Sequence, residues 1–144
     1  MALPKMSGFD GRDLTVINQA LKNLDKTRIR TVLWFMPSDA AVGTDKSAYL
    51  QMDFNATIVA AYARAKTGPT GADLIFDINK NETSIWANTQ GNRLRIASGA
   101  TTGSKTVFET TLLNKNDTLT VDIDQIGSTT AGKDITVKLT LQEI

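Results

Sequence analysis

The sequence predicts a mainly β protein, an antiparallel two-sheet sandwich of eight or nine strands behind a short N-terminal helical arm. Three observations carry that prediction. From Ile29 onward apolar and polar residues alternate in short runs, the runs are punctuated by Gly, Pro, Asn and Asp, and no long helical pattern lies between them. Short turns join antiparallel neighbours, whereas parallel strands need long crossovers, so β–α–β units are ruled against. Ahead of Ile29 the apolar period is helical instead.

The arm, residues 1–28, contains the segment Asp13 to Asp25, DLTVINQALKNLD. Its Leu14, Ile17, Leu21 and Leu24 fall at spacings of three, four and three, which places them on one helical stripe. Asp13 is positioned to cap the helix start, because its side-chain oxygen can accept from an otherwise unpaired backbone N–H. The stripe has the a/d form of a coiled-coil seam but covers only two heptads. Helices shorter than about 12–15 residues are marginal in water alone, so this one must pack, either on its own β-domain or against a partner subunit or larger particle. Lys5, Arg12, Lys22, Lys26, Arg28 and Arg30 outnumber Asp10, Asp13 and Asp25 around it. A solvated helix face accounts for that excess without nucleic acid.

The β-domain, residues 29–144, opens with IRTVLWFM (Ile29 to Met36), rich in β-branched and aromatic residues and stopped by Pro37, which has no N–H for a ladder. SAYLQMDF (Ser47 to Phe54) sets Ala48, Leu50, Met52 and Phe54 on one parity. ATIVAAYARAK (Ala56 to Lys66) is a full strand ending at the turn TGPTG. ADLIFDINK puts Leu74, Phe76 and Ile78 on one face and Asp73, Ile75, Asp77 and Asn79 on the other, and NKNE turns the chain straight into TSIWA. NRLRIA, KTVFETTLL, DTLTVDIDQIG and DITVKLTLQEI follow as strands, with SGATTGS, NKND and GSTTAGK as turns. In the last strand Ile135, Val137, Leu139 and Leu141 face inward and Thr136, Lys138, Thr140 and Gln142 outward.

The same period of two governs the acidic residues. Asp122 and Asp124 fall opposite Val121 and Ile123, and water on that face explains their charge. A calcium site would need six to eight oxygens. Those two carboxylates are about 7 Å apart along a strand, and no Asp-x-Asp-x-Asp-Gly loop occurs. Asp77, Asp122 and Asp124 are therefore read as a solvated sheet face, and no metal ligand is assigned.

Composition narrows the function classes. A chain of 144 residues can bury a core without staples, and its 16 basic and 15 acidic residues nearly cancel. With no Cys and no His, thiolate nucleophiles, serine triads and imidazole metal sites are excluded. Carboxylate, Lys, Tyr or Ser–Lys chemistry remains, but TGSK and TDKS read as turns. The run GSTTAGKD lies between strands with no helix to follow, so it does not read as a phosphate loop. No catalytic residue and no cofactor is assigned. MALPKMSGFDG lacks the apolar stretch of a secretory signal, and the longest apolar run, IVAAYA, is far short of a membrane helix. Synthesis in the cytoplasm is expected. Trp34, Trp86, Tyr49 and Tyr62 could stack on sugar rings, although Trp34 and Trp86 sit in apolar runs where packing is expected.

Three stretches carry a family resemblance: TGPTGADLIFDINKNETSIW (Thr67 to Trp86), NRLRIASGATTGS (Asn92 to Ser104) and DTLTVDIDQIGSTTAGKDITVKL (Asp117 to Leu139). Together they resemble a β-sandwich module of tailed-bacteriophage structural proteins, found in head decoration proteins and in tail or fibre proteins alike. The likeness spans Ile29 to Ile144. Glu82 stands where the module's hairpin would carry Gly, which implies a slightly different turn.

The resemblance implies a jelly-roll-like, non-enzymatic virion part, usually trimeric. A fibre usually carries the module at the end of a much longer chain. Taken as a whole chain with only a short arm in front, this sequence looks most like a capsid decoration or cement protein on the capsid surface. Its implied partners are the major capsid protein and its own copies in a homotrimer, with no nucleic acid and no membrane. On this reading Leu14, Ile17, Leu21 and Leu24 bury against the capsid or a neighbouring copy. The alternative is a receptor- or carbohydrate-binding module of a tail or baseplate, for which Trp86 and Asp77 would be the test positions, or a neck protein.

Overall fold

A computed structural model of the chain describes residues 11–25 and 28–144. Residues 1–10 of the arm, with Lys26, lie outside the described residues, so the expected basic excess is followed only in part. Helix α1 (Gly11–Asp25) is followed by ten strands: β1 (Ile29–Asp39), β2 (Leu50–Gln51), β3 (Ala56–Thr67), β4 (Leu74–Lys80), β5 (Thr83–Ser84), β6 (Leu94–Ile96), β7 (Thr102–Lys105), β8 (Leu112–Leu113), β9 (Thr118–Gln125) and β10 (Lys133–Glu143). The helix begins earlier than expected. Asp13 therefore lies within its first turn, where its charge suits the positive end of the helix dipole, rather than at the cap.

Two antiparallel sheets pack face to face. The first has the order β1-β10-β3-β7 with β8 also on β3, and the second has the order β2-β9-β4-β5 with β6 also on β4. From β1 to β4 the chain switches sheet at every strand, and β9 and β10 switch again, which is the winding of a jelly roll. The core lies between the sheets. β10 supplies Ile135, Val137, Leu139 and Leu141, all fully buried as their alternation predicts. β3 supplies mostly alanines (Ala61, Ala63, Ala65), and Phe76, Trp86 and Met52 supply bulk within the same cluster.

Three segments depart from the sequence expectation, each for a local reason. Within Ser47 to Phe54 only Leu50 and Gln51 pair, with Leu119 and Thr118 of β9. Met52 is buried and Phe54 packs on the core, but Ala48 is exposed. KTVFETTLL is not one strand. The chain pairs with β3 earlier, through Thr102–Lys105, and again at Leu112–Leu113. Between them it detours over Trp86, whose indole N–H donates to the Val107 carbonyl at 2.8 Å and whose ring meets Phe108 at 5.6 Å. Beyond Pro37 the β1–β10 ladder resumes at Asp39 after an irregularity, where the Ser38 N–H donates to the Asp134 carboxylate at 2.8 Å.

Two turns show how closely the backbone is constrained. The two residues between β4 and β5, Asn81 and Glu82, both have positive φ, 49° and 67°. Positive φ at both central positions marks the primed hairpin turn that Asn-Gly forms most easily. The turn thus keeps the form expected with Gly, and Glu82 absorbs the strain, correcting the expected change of turn. Where β7 leans on β6, a Cβ on Gly103 would come within 1.7 Å of the Arg95 carbonyl oxygen.

Gly103→Ala is expected to lower stability by about 1–3 kcal/mol or more, because the obstacle is backbone that cannot rotate away; an unchanged urea midpoint would contradict this contact. Glu82→Gly is expected to raise stability by up to about 1 kcal/mol, as relief of left-handed strain outweighs the entropy of Gly, and thermal unfolding reads it directly.

Candidate functional site

The acidic residues gather on the outer face of the second sheet, held there by β4 and β9. Their side chains alternate with the core-facing Phe76, Ile78, Val121 and Ile123, and the register sets Asp77 directly across from Asp122. This face is less wet than expected, since Asp77 is only 7% exposed and Asn79 and Thr120 are also buried. Hydrogen bonds, more than water, account for the carboxylates. Asp122 accepts from the Asp45 backbone N–H at 2.7 Å and from the Asn79 amide at 2.7 Å. Asp77 accepts from the Ser84 hydroxyl at 2.6 Å, and that hydroxyl accepts from the Trp86 N–H at 3.0 Å. Asp124 pairs with the Arg93 guanidinium, and Asp73 accepts from the Ser98 N–H at 2.9 Å.

These carboxylates act as fasteners: Asp77 ties β4 to β5, Asp122 ties β9 to β4 and to the loop at Asp45, and Asp124 ties β9 to the loop at Arg93. Burial raises the Asp77 pKa, helped by the charges of Asp124 and Asp122 and opposed by Ser84 and Arg93. Asp117, in the turn before β9, goes the other way. Burial works against its charge, but the Asn114 N–H, the Asn81 amide and the Lys80 ammonium together hold its pKa below the usual range. Near the β4–β5 turn, Thr44, Asp45, Asn79, Glu82, Thr120 and Asp122 line an open polar recess. Tyr49 stands beside it, its phenol pKa raised by the charge of Asp45, then by burial, its hydrogen bond to Asp45, Glu82 and Asp122. Among the described residues no three carboxylates are placed to hold a metal ion.

The other sequence candidates separate cleanly. Trp34 and Trp86 are buried, so neither offers a sugar platform, and Trp86 drops out of the carbohydrate alternative as a contact residue. Tyr49 is exposed, and Tyr62 lies under the Lys138 ammonium, 5.1 Å from the ring centroid. The run from Gly127 to Lys133 has the glycine spacing of a phosphate loop, but it joins β9 to β10. Its Gly127 and Thr129 N–H groups donate to the carbonyls of Ala131 and Thr70.

Leu14, Ile17, Leu21 and Leu24 are all exposed, Ile17 least at 40%. Among the described residues no part of the β-domain buries this stripe. Sequence reasoning also missed a second apolar surface. On β1, Ile29, Leu33 and Phe35 face outward, with Leu33 at 61% and Phe35 at 65% exposed. A signal for them was present, because Ile29 to Met36 is apolar on both parities and β1 has a covering sheet on one side only.

With the architecture described, comparison with known proteins is informative at the level of fold. The sandwich is similar in fold to a viral capsid chain. It matches a chain of the capsid of Ralstonia phage GP4 with a TM-score of 0.52 at 16% identity, covering 83% of this chain and 86% of that one. Two structures of Tobacco streak virus coat protein match at TM-scores of 0.37 and 0.36 with 11% and 10% identity, over 81% of this chain and 87% and 88% of theirs, too distantly to support an argument. No family model matches the chain, and no curated protein matches it.

The raised Asp77 pKa has a signed consequence. The folded state holds this proton more tightly than the unfolded chain, so the contribution is full below the unfolded value of 3.8 and is lost as pH rises through the folded value. Asp77→Asn keeps an acceptor for Ser84 and removes one of two like charges facing each other. It is expected to stabilise the protein by about 0.2–1 kcal/mol near pH 7 and to lose that advantage towards about pH 3.5; urea titrations at the two pH values measure it.

Proposed function

We propose that the protein is a non-enzymatic virion structural protein, a capsid decoration (cement) protein that binds across seams of the major capsid protein and stabilises the head. The observation that carries this reading is the likeness of the sandwich to a chain of a phage capsid over 83% of this chain. The apolar stripe of α1, exposed among the described residues, supports it, since an exposed amphipathic face suits an anchor that buries it on another surface.

On this reading residues 1–28 are the anchoring arm and residues 29–144 the body, placed on the capsid surface as a homotrimer. Leu14, Ile17, Leu21 and Leu24 go into the capsid or a neighbouring copy. The action is mechanical. Each Å² of apolar surface removed from water contributes about 25 cal/mol before the costs of association are subtracted, and repetition over a shell turns modest contacts into resistance to internal pressure. No catalytic group, metal or cofactor enters.

Co-sedimentation of the chain with shells of its phage's major capsid protein tests this. Saturable binding is expected for the full chain, and residues 29–144 alone should stay folded and soluble but leave the shells bare. Normal decoration by the truncated protein would rule out the arm as the anchor, and failure of the full chain to bind would overturn the cement reading.

A further inference from the structure

The exposed line on β1 and the exposed stripe on α1 are a matched pair. Ile29, Leu33 and Phe35 share one side of an edge strand and span about 20 Å at roughly 3.3 Å per residue. Inward across the sheet, Leu33 and Phe35 are followed by Lys138 and Thr136 of β10, and these by Tyr62 and Arg64 of β3. That flank carries two cations and no carboxylate. Helix α1, with 15 residues, is about 22 Å long and offers Ile17 and Leu21 at the middle of its stripe. Asp13 lies in its first turn.

Among the described residues nothing covers either surface, and a helix of this length is marginal unless its apolar side is covered. Apolar stripe against apolar line, with Asp13 directed towards Lys138 and Arg64, sets helix and strand antiparallel. We infer that the outer side of β1 is the receiving surface for α1 of a second copy of the chain. The inference rests on the reading of α1 as an anchoring element and names the surface it anchors to.

The chain contains no cysteine, so introduced thiols report the contact directly. Ile17→Cys and Leu33→Cys chains carrying tags of different size are mixed and mildly oxidised. The expected product is a disulfide dimer containing both tags, formed in preference to either same-tag dimer. In sedimentation equilibrium the wild-type chain should self-associate, and Phe35→Asp should weaken that association about tenfold or more, while the unfolding midpoints of the two match at dilutions where both are monomeric, because Phe35 is not part of the core.

A disulfide confined to one chain in the Ile17→Cys/Leu33→Cys double variant, without mixed dimers, would overturn the inference by assigning the helix to its own strand. A monomeric wild type that still binds shells through its arm would overturn it while leaving the cement reading intact. Mixed disulfides in a protein that fails to decorate shells would uphold the inference and remove the cement reading.

Discussion

The architecture depends on where the last strand goes. β10 lies between β1 and β3, pairing with Ile29–Asp39 on one side and Ala56–Thr67 on the other, so the first sheet has no centre until the C-terminal residues are in place. Its strict alternation makes this possible. Ile135, Val137, Leu139 and Leu141 are all fully buried, and a slip of one residue would exchange them for Thr136, Lys138, Thr140 and Gln142. Such long-range pairing requires loop closure before contacts compensate for it, which favours slow, cooperative folding over strand-by-strand assembly.

The second sheet meets a different constraint. Asp77 and Asp122 face each other in register on its outer side, an arrangement that disfavours the sheet unless something offsets it. The offset comes from chain outside the sheet's centre: the backbone at Asp45, the Ser84 hydroxyl and the Arg93 guanidinium. The acids thereby become the means by which loops are pinned to strands. In that central set Asp77 and Asp122 accept hydrogen bonds and Asp124 pairs with Arg93, so each carboxylate has a partner within the fold.

Uncovered apolar surface lies elsewhere, on β1 and on the stripe of α1. An edge strand with exposed Leu33 and Phe35 is a liability for a monomer, because natural edges are usually blunted by charge or covered. The exposed apolar stripe of α1 is a second liability in the same chain. Both are surfaces that association with another molecule would remove from water.

The sequence by itself determined the periods: helical for Leu14, Ile17, Leu21 and Leu24, two for β3, β4, β9 and β10, with Gly, Pro and Asn marking the breaks. These are local properties of neighbouring side chains, and they were enough for the class of fold, the two-sheet architecture and much of the core. Tertiary structure alone decided what each outward face meets. Nothing near Asp77 in the chain signals that Ser84 and the strand carrying Asp122 will enclose it. Nor does Val107 announce that it will leave the sheet to accept from Trp86. The apolar run Ile29 to Met36 does not show that Trp34 and Met36 will be buried while Leu33 and Phe35 stay exposed. Periodicity states which side chains share a face, whereas burial of that face depends on segments distant in sequence, and only the folded chain brings those into contact.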